Sequence, residues 1–355
     1  MFNSFTFSVE GMDEWIQKSG IRAQFSDNYK SVTVQYSPLD NVEMNLSEEL
    51  KLIISFRSKL PTLPCNLEAT IKQKSFFTIR SQKPLHLDKF IDIAYRICIL
   101  LCLAIDEIVS IDNVNASSDA IKRELGEGSS IPLDIPIYYR SQPYLPKAPD
   151  ISWHRMLFIY PHIASNTESF FKSWMANYEK LGPAIDLYIA SKSTRAGSLT
   201  NQFIALAQGL EALHRRISNE TPMPKSTFKG LIDELISNCP NGLKTWLRNK
   251  AKYGNELTLR KRIQRLFESF GDTFGDNRQQ KRLATRIVDT RNYFTHFDES
   301  LHNKAAHGKS LVELVYIMEV LSQLHFLKLL GFSKDKIQTI TMQNHRIRSK
   351  LDYSI

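Results

Sequence analysis

At 355 residues, 42% of them hydrophobic and 23% charged, the chain has the composition of a folded globular protein and the length for two cores. That excludes a disordered or fibrous polypeptide. The net charge of +9 is compatible with an anionic partner, and Cys65, Cys98, Cys102 and Cys239 show neither zinc-finger spacing nor a disulfide framework.

Residues 1–150 read as a mixed, β-rich domain. Phe2–Val9 alternates apolar and polar residues through Phe5, Phe7 and Val9, and residues 31–36 do so through Val32, Val34 and Tyr36. Residues 50–56 and 66–79 are further β-rich runs, and Asp27-Asn28 and Ser37-Pro38 are turn signals between the earlier ones. A helix follows, with Asp88 as its expected N-cap and with Phe90, Ile93, Ala94, Ile97, Leu101 and Ala104 at helical spacing. Cys98 and Cys102, four apart on its apolar face, read as core residues. The apolar stretch 91–111 carries Asp92, Arg96, Asp106 and Glu107, which argues for a buried helix and against a membrane span. The start, Met1-Phe2-Asn3-Ser4-Phe5, lacks the regions of a signal peptide, so the default expectation is a cytoplasmic protein without a membrane partner. Strand character returns over 131–139, and Pro143, Pro146 and Pro149 mark 141–150 as a linker or long loop.

From there the chain turns helical. Residues 151–197 form a connecting segment. Its amphipathic stretch 168–180 contains Phe170, Phe171, Trp174 and Tyr178, and a break at Gly182-Pro183 precedes a continuation over 185–190. Residues 198–355 read as a helical bundle with helices over 198–217, 227–236, 243–250, 257–270, 276–296, 309–330 and 333–342. Gly271 and Gly331 are stop signals. The fold class is therefore α+β, a β-rich domain followed by an all-α bundle.

Charge is concentrated in this second half. Between Lys244 and Arg291 thirteen bases, Lys281, Arg282 and Arg286 among them, face five acids, a net +8. Such a run is more often a solvated helix face than a site, unless phosphodiester chemistry lies beside it.

The run ends in Thr290-Arg291-Asn292-Tyr293-Phe294-Thr295-His296. Spacing alone is weak, because 20 arginines and 9 histidines yield about half an Arg-x4-His pair by chance. At about 100° per residue, Arg291 shares an arc with Leu283, Ala284, Ile287, Val288 and Phe294. A cation there needs a partner, with Glu211 as one possibility, or else a groove or subunit seam. Asn292 and His296 share a different face. His296, at the helix end, is either a capping histidine or an acid–base group, and a nearby guanidinium that binds phosphate oxygens would favour the second. His302 and His307 read as solvated loop residues, and His214, late in its helix, as a C-terminal charge device. No carboxylate cluster or phosphate loop accompanies the motif, so no metal and no cofactor are expected.

The same seven residues resemble the Arg-Asn-x3-His signature of HEPN-domain ribonucleases, most closely the ApeA-type branch. The stretch Phe203, Gln208, Gly209, Leu210, Glu211, Ala212, Leu213 and His214 is similar to the first bundle helix of that branch. Phe5-Thr6-Phe7 followed by Gly11-Met12-Asp13-Glu14-Trp15 is similar to a strand-then-tryptophan feature in the C-terminal part of the preceding domain. On that likeness, a β-rich N-terminal portion of fuller relatives is missing here. The resemblance implies a metal-independent RNA endonuclease of anti-phage defence, acting by abortive infection through attack of the ribose 2′-hydroxyl. His296 would be the general acid or base, Arg291 would bind the scissile phosphate and Asn292 would orient one of them. Tyr293 and Glu211 would support the site, and Lys281, Arg282 and Arg286 would contact RNA. It also implies a homodimer through the bundle and a phage-derived trigger or regulatory protein, with RNA, tRNA included, as substrate. The alternatives are a non-catalytic HEPN module that binds RNA or protein, and a toxin silenced by a partner.

Overall fold

The computed structural model describes residues 1–354 apart from 63–66, 127–128, 145–147 and 194–197. The described residues divide into two compact units: 1–179 with 326–349, and 180–325 with 350–355.

The first unit is organised by β1 (Phe2–Val9). The alternation read from its sequence sorts two faces. Phe5, Phe7 and Val9 are buried on one, and Thr6 and Ser8 are buried on the other. The hydroxyls are satisfied across the sheet: Thr6 Oγ1 lies 2.9 Å from Thr78 Oγ1, and Ser8 Oγ donates to the Asp112 carbonyl at 3.2 Å. The chain then forms α1 (Met12–Ile16), β2 (Ile21–Phe25), β3 (Val32–Tyr36), β4 (Val42–Asn45), β5 (Leu50–Lys59), β6 (Lys72–Leu85), α2 (Leu87–Ile105), β7 (Ile111–Ser117), β8 (Lys122–Gly126), β9 (Ser129–Pro132) and β10 (Ile135–Pro136). A six-stranded antiparallel sheet runs β10-β7-β1-β6-β5-β4, while β2-β3 and β8-β9 form separate two-stranded ribbons. In register, Phe7 opposes Phe77. The α2 helix covers the apolar face of the sheet, where Phe90 stacks on Phe5 at 5.9 Å.

Every residue of α2 from Ile97 to Ile105 is buried, as a core helix requires. Cys98 Sγ donates to the Val109 carbonyl at 3.3 Å, and the Val109 N–H points at Cys102 Sγ at 3.4 Å, so both thiols act as packing groups. Trp15, carried by α1, is fully buried edge-on to Tyr160 at 5.6 Å. Gly11 makes the turn before it with φ 75°, and a Cβ there would stand 2.6 Å from Ile151 Cδ1.

Four local expectations are corrected. The N-cap of α2 is His86, and Asp88 sits inside the first turn, where a carboxylate favours the helix N-terminus without capping it. The stretch 131–139 is not one strand. Pro132 and Pro136 lack the N–H a ladder needs, and only 135–136 join the large sheet while 129–132 pair with β8. The run beginning at residue 66 pairs only from Lys72, its first residue lying outside the described set, as do residues 145–147 of the expected linker.

The fourth correction concerns α3 (Thr167–Ser193). It is one 27-residue helix that passes through Gly182-Pro183 without a break. Pro183 is exposed, so its ring faces solvent. Meanwhile Phe170, Phe171, Trp174, Tyr178, Leu181, Ala184, Ile185, Tyr188 and Ile189 keep one buried stripe along the whole length. Burial of that stripe outweighs the roughly 3 kcal/mol of an interior proline.

The second unit holds α4 (Leu199–Ile217), α5 (Lys225–Ser237), α6 (Lys244–Ala251), α7 (Leu259–Glu268), α8 (Asn277–His296) and most of α9 (Gly308–Leu329). The chain closes with α10 (Lys334–Gln343) and α11 (His345–Ser354). The sequence readings of these helices hold to within a few residues, and α11 is an addition. By length and composition α9 resembles a membrane span, but 78% of its most apolar window is buried within the fold, as in a core helix. In that interior Glu319 accepts from Lys192 and pairs with Lys350 at 3.0 Å. Burial pushes the Glu319 carboxyl up, but the two ammonium groups overcome it and hold the group well below the usual carboxylate range.

Candidate functional site

The α8 helix is built to place its last turn. Asp276 caps it: Gln279 N–H donates to Asp276 Oδ1 at 2.7 Å, and the Asp276 N–H returns a bond to Gln279 Oε1 at 2.7 Å. At the other end Phe297 takes the left-handed conformation, φ 51°, and its N–H closes on the Tyr293 carbonyl at 2.7 Å. His296 is thus the final helical residue, and it is exposed.

Packing fixes the orientation of the helix. Ala284, Ile287, Val288 and Thr290 are buried, and Phe294 meets Phe203 of α4 edge-on at 6.2 Å. The α4, α7 and α8 helices pack against one another. Thr290 Oγ1 accepts the Ala306 N–H at 2.9 Å, which ties the loop after the helix back onto it. Arg291 is half-buried at the margin of this seam. It lines an open cleft of about 390 Å³ together with Glu211, Thr258, Leu259, Arg260, Val288 and Asn292.

Arg291 Nη1 donates to Asn292 Oδ1 at 3.1 Å, so the structure joins two groups that helical projection had placed on different faces. The Glu211 ion pair considered for Arg291 does not form. Glu211 accepts from Arg215 one turn along α4 at 3.1 Å, and Arg215 also reaches Glu256 at 2.5 Å. The Glu256 hydrogen bond raises the Arg215 guanidinium above its ordinary value. Among the described residues Arg291 has no carboxylate partner, and it lines the cleft. Arg286 pairs with Glu313 at 3.7 Å, while Lys281 and Arg282 are exposed.

Tyr293 organises the loop beyond the motif. Its hydroxyl lies 3.0 Å from His302 Nδ1, its ring meets those of His302 and His307 at 5.5 and 5.4 Å, and His307 Nε2 approaches the His302 carbonyl at 3.3 Å. These two histidines are exposed, as the sequence reading had them, and they also pack on Tyr293 of the motif. Only their closeness in sequence to His296 hinted at it. Nearby, Asp298 accepts from the side chain and backbone of Ser300, which holds its carboxyl below the ordinary value.

His214 is also corrected. It is buried, not a charge at a helix end, and burial and then the Arg262 guanidinium 3.4 Å away push its imidazole below the ordinary value. Arg262 is itself buried, donating to the Leu257 carbonyl at 3.0 Å and to Glu256 at 3.4 Å. Nothing local in sequence marks that pair, since 48 residues separate its members. Among the described residues no three His, Cys, Asp or Glu side chains are placed to hold one metal ion.

Residues 204–336 match the family model described as Apea-like HEPN, which makes the helical region an HEPN domain. Residues 1–174 match the model described as ApeA N-terminal domain 1. The chain belongs to the ApeA-type HEPN proteins, a family of anti-phage defence. No curated protein and no solved structure matches it.

Proposed function

We propose that the chain is a metal-independent RNA endonuclease whose site is the cleft and helix end at Arg291, Asn292 and His296. The observation that carries this reading is Arg291. It is a half-buried guanidinium without a carboxylate partner among the described residues, held by Asn292 at the edge of an open cleft. A purely structural arginine in that position would be paired, as Arg262 and Arg265 are. A planar, permanently charged fork facing a cleft suits a phosphate and the charge that grows on it during transfer.

The reaction needs only side-chain chemistry. The ribose 2′-oxygen attacks phosphorus as its proton passes to a base, the bond to the 5′-oxygen breaks, and that oxygen takes a proton from an acid. The products are a 2′,3′-cyclic phosphate and a 5′-hydroxyl. His296, exposed at the helix end, serves as one of the two proton-transfer groups, because an imidazole can both accept and donate a proton. Its counterpart comes from a second copy of the chain, in a homodimer formed through the helical unit. Tyr293 anchors the loop that borders the site.

The test is RNA cleavage by the purified chain with a chelator present. Wild type is expected to cut. Arg291→Ala and His296→Ala are each expected to lose about 10²–10³-fold or more in rate with unchanged circular dichroism. Equal cutting by all three would remove these residues from the reaction.

A further inference from the structure

Ion pairing divides the basic run of the second unit into two parts. In α7 and α8 many bases are neutralised: Arg260 by Asp289 at 3.2 Å, Arg262 by Glu256, Arg265 by Glu220 at 2.6 Å and Glu268 at 2.9 Å, and Arg286 by Glu313. The α6 helix and the turn after it differ. Lys244, Arg248, Lys250 and Lys252 fall within a stretch that contains no acid, and among the described residues none of the four pairs with a carboxylate.

The same stretch exposes large aromatic surface. Trp246 is 58% and Tyr253 63% accessible. Helical periodicity sorts the side chains onto two exposed sides of α6 and the turn after it, about half a turn apart. Lys244, Arg248 and Lys252 recur every four residues over about 12 Å. Trp246, Lys250 and Tyr253 recur at intervals of four and three, and Lys252 Nζ lies 5.4 Å from the Tyr253 ring. The residues between them, Leu247 and Ala251, are half-buried and belong to the side that holds the helix in the fold.

This excursion of the chain is closed at its base. The Asn255 side chain accepts from the Met223 N–H at 3.1 Å and donates to the Met223 carbonyl at 2.9 Å, which clamps α5 and α6 between these two residues. Phe228 of α5 packs over Gly254, where a Cβ would stand 3.0 Å from its ring. These side chains are therefore presented on an ordered helix and the turn after it, although their aromatic groups pack against little of the protein.

We propose that α6 is a docking platform for single-stranded RNA, with Trp246 and Tyr253 stacking on unpaired bases and the four cations neutralising phosphates. The occupant follows from the pairing of the two sides. Cations alone would suit any polyanion. Exposed indole and phenol rings on the same short segment match a strand whose base faces are free. A duplex keeps those faces inside its own stack, and A-form RNA offers side chains chiefly its backbone and shallow groove. An eight-residue helix whose opposite side is held in the fold is short for a membrane-surface element. The choice of RNA rests on the nuclease reading above. The platform itself rests on the α6 geometry.

The experiment uses the full chain carrying His296→Ala, so that binding is read without turnover. Fluorescence anisotropy follows a labelled unstructured RNA oligomer and, separately, an RNA duplex. Trp246→Ala is expected to weaken single-strand binding about tenfold, with Trp246→Phe restoring most of it and duplex binding changing less than about twofold. Replacing both Arg248 and Lys250 by alanine is expected to flatten the salt slope by about 1.4, near 0.7 per phosphate contact. Unchanged single-strand affinity in Trp246→Ala with intact circular dichroism overturns the platform. So does an equal loss on duplex, or tighter binding to phosphatidylserine vesicles or to a polyglutamate peptide than to the RNA. If wild type does not cut RNA but Trp246-dependent binding persists, the nuclease reading fails and the platform stands.

Discussion

His214 sits late in α4, where a sequence reading assigns a cation that favours the helix C-terminus, yet it is buried beside a guanidinium. Burial and Arg262 both oppose its protonation, so its folded pKa lies below the ordinary imidazole value of about 6.5. The unfolded chain therefore binds this proton more readily. The stabilising contribution is complete above about pH 6.5 and is lost as the pH falls from there toward the lowered folded pKa. Melting temperatures between pH 7.5 and 5 are expected to fall less steeply in His214→Gln than in wild type, by at most one proton's slope of about 1.4 kcal/mol per pH unit. An identical slope in both would show that His214 titrates normally. The same scale separates Arg262 from Arg291. Both come from basic helices, but one is enclosed by a carbonyl, a carboxylate and an imidazole, and the other has only Asn292 and a cleft. Sequence could place Arg291 on the apolar arc. It could not say that the arc ends at an opening.

At the scale of elements, what could be read was what local spacing controls. The helix starts at Asp276 and Ser333 and the stop at Gly331 rest on contacts within a turn, and they appear where the sequence put them to within a residue. The break expected at Pro183 does not appear, because the buried stripe of α3 continues past it. Pro183 therefore sits in a helix interior with its side chain in solvent. Pro183→Ala is expected to stabilise the chain by about 1–2 kcal/mol, since restoring a helix donor outweighs the added freedom of the unfolded chain. Chemical denaturation measures this. A lower midpoint for the variant would mean that the helix depends on the proline's shape. The α6 helix shows the complementary case. It was placed correctly as a helix, but its freedom from ion pairs is visible only when the carboxylates of the other helices are found elsewhere.

At the scale of the whole molecule, the proposed site is half of one. On that proposal a single exposed His296 would supply one proton-transfer group, and cleavage by 2′-oxygen attack needs two. Light scattering is expected to give a mass near twice the chain's 40.9 kDa at working concentration. Dilution below the dimer's dissociation constant is expected to reduce cleavage per chain. A fully active monomer would place the second group within the chain, and His302, held by Tyr293 beside the motif, would be the first residue to test.

The sequence by itself determined the α+β division, the helix that carries the motif, the buried nature of α2 and the family resemblance, because these depend on periodicity and on residues a few positions apart. Tertiary structure alone decided which charges are spent on one another. Arg286 has Glu313, Arg265 has Glu220 and Glu211 has Arg215, while among the described residues Arg291 and the cations of α6 have no carboxylate partner. Composition gives the net excess of +9, but a charge that acts on a ligand is one that no neighbour in space neutralises, and for pairs such as Arg265 and Glu220 that neighbour lies 45 residues away.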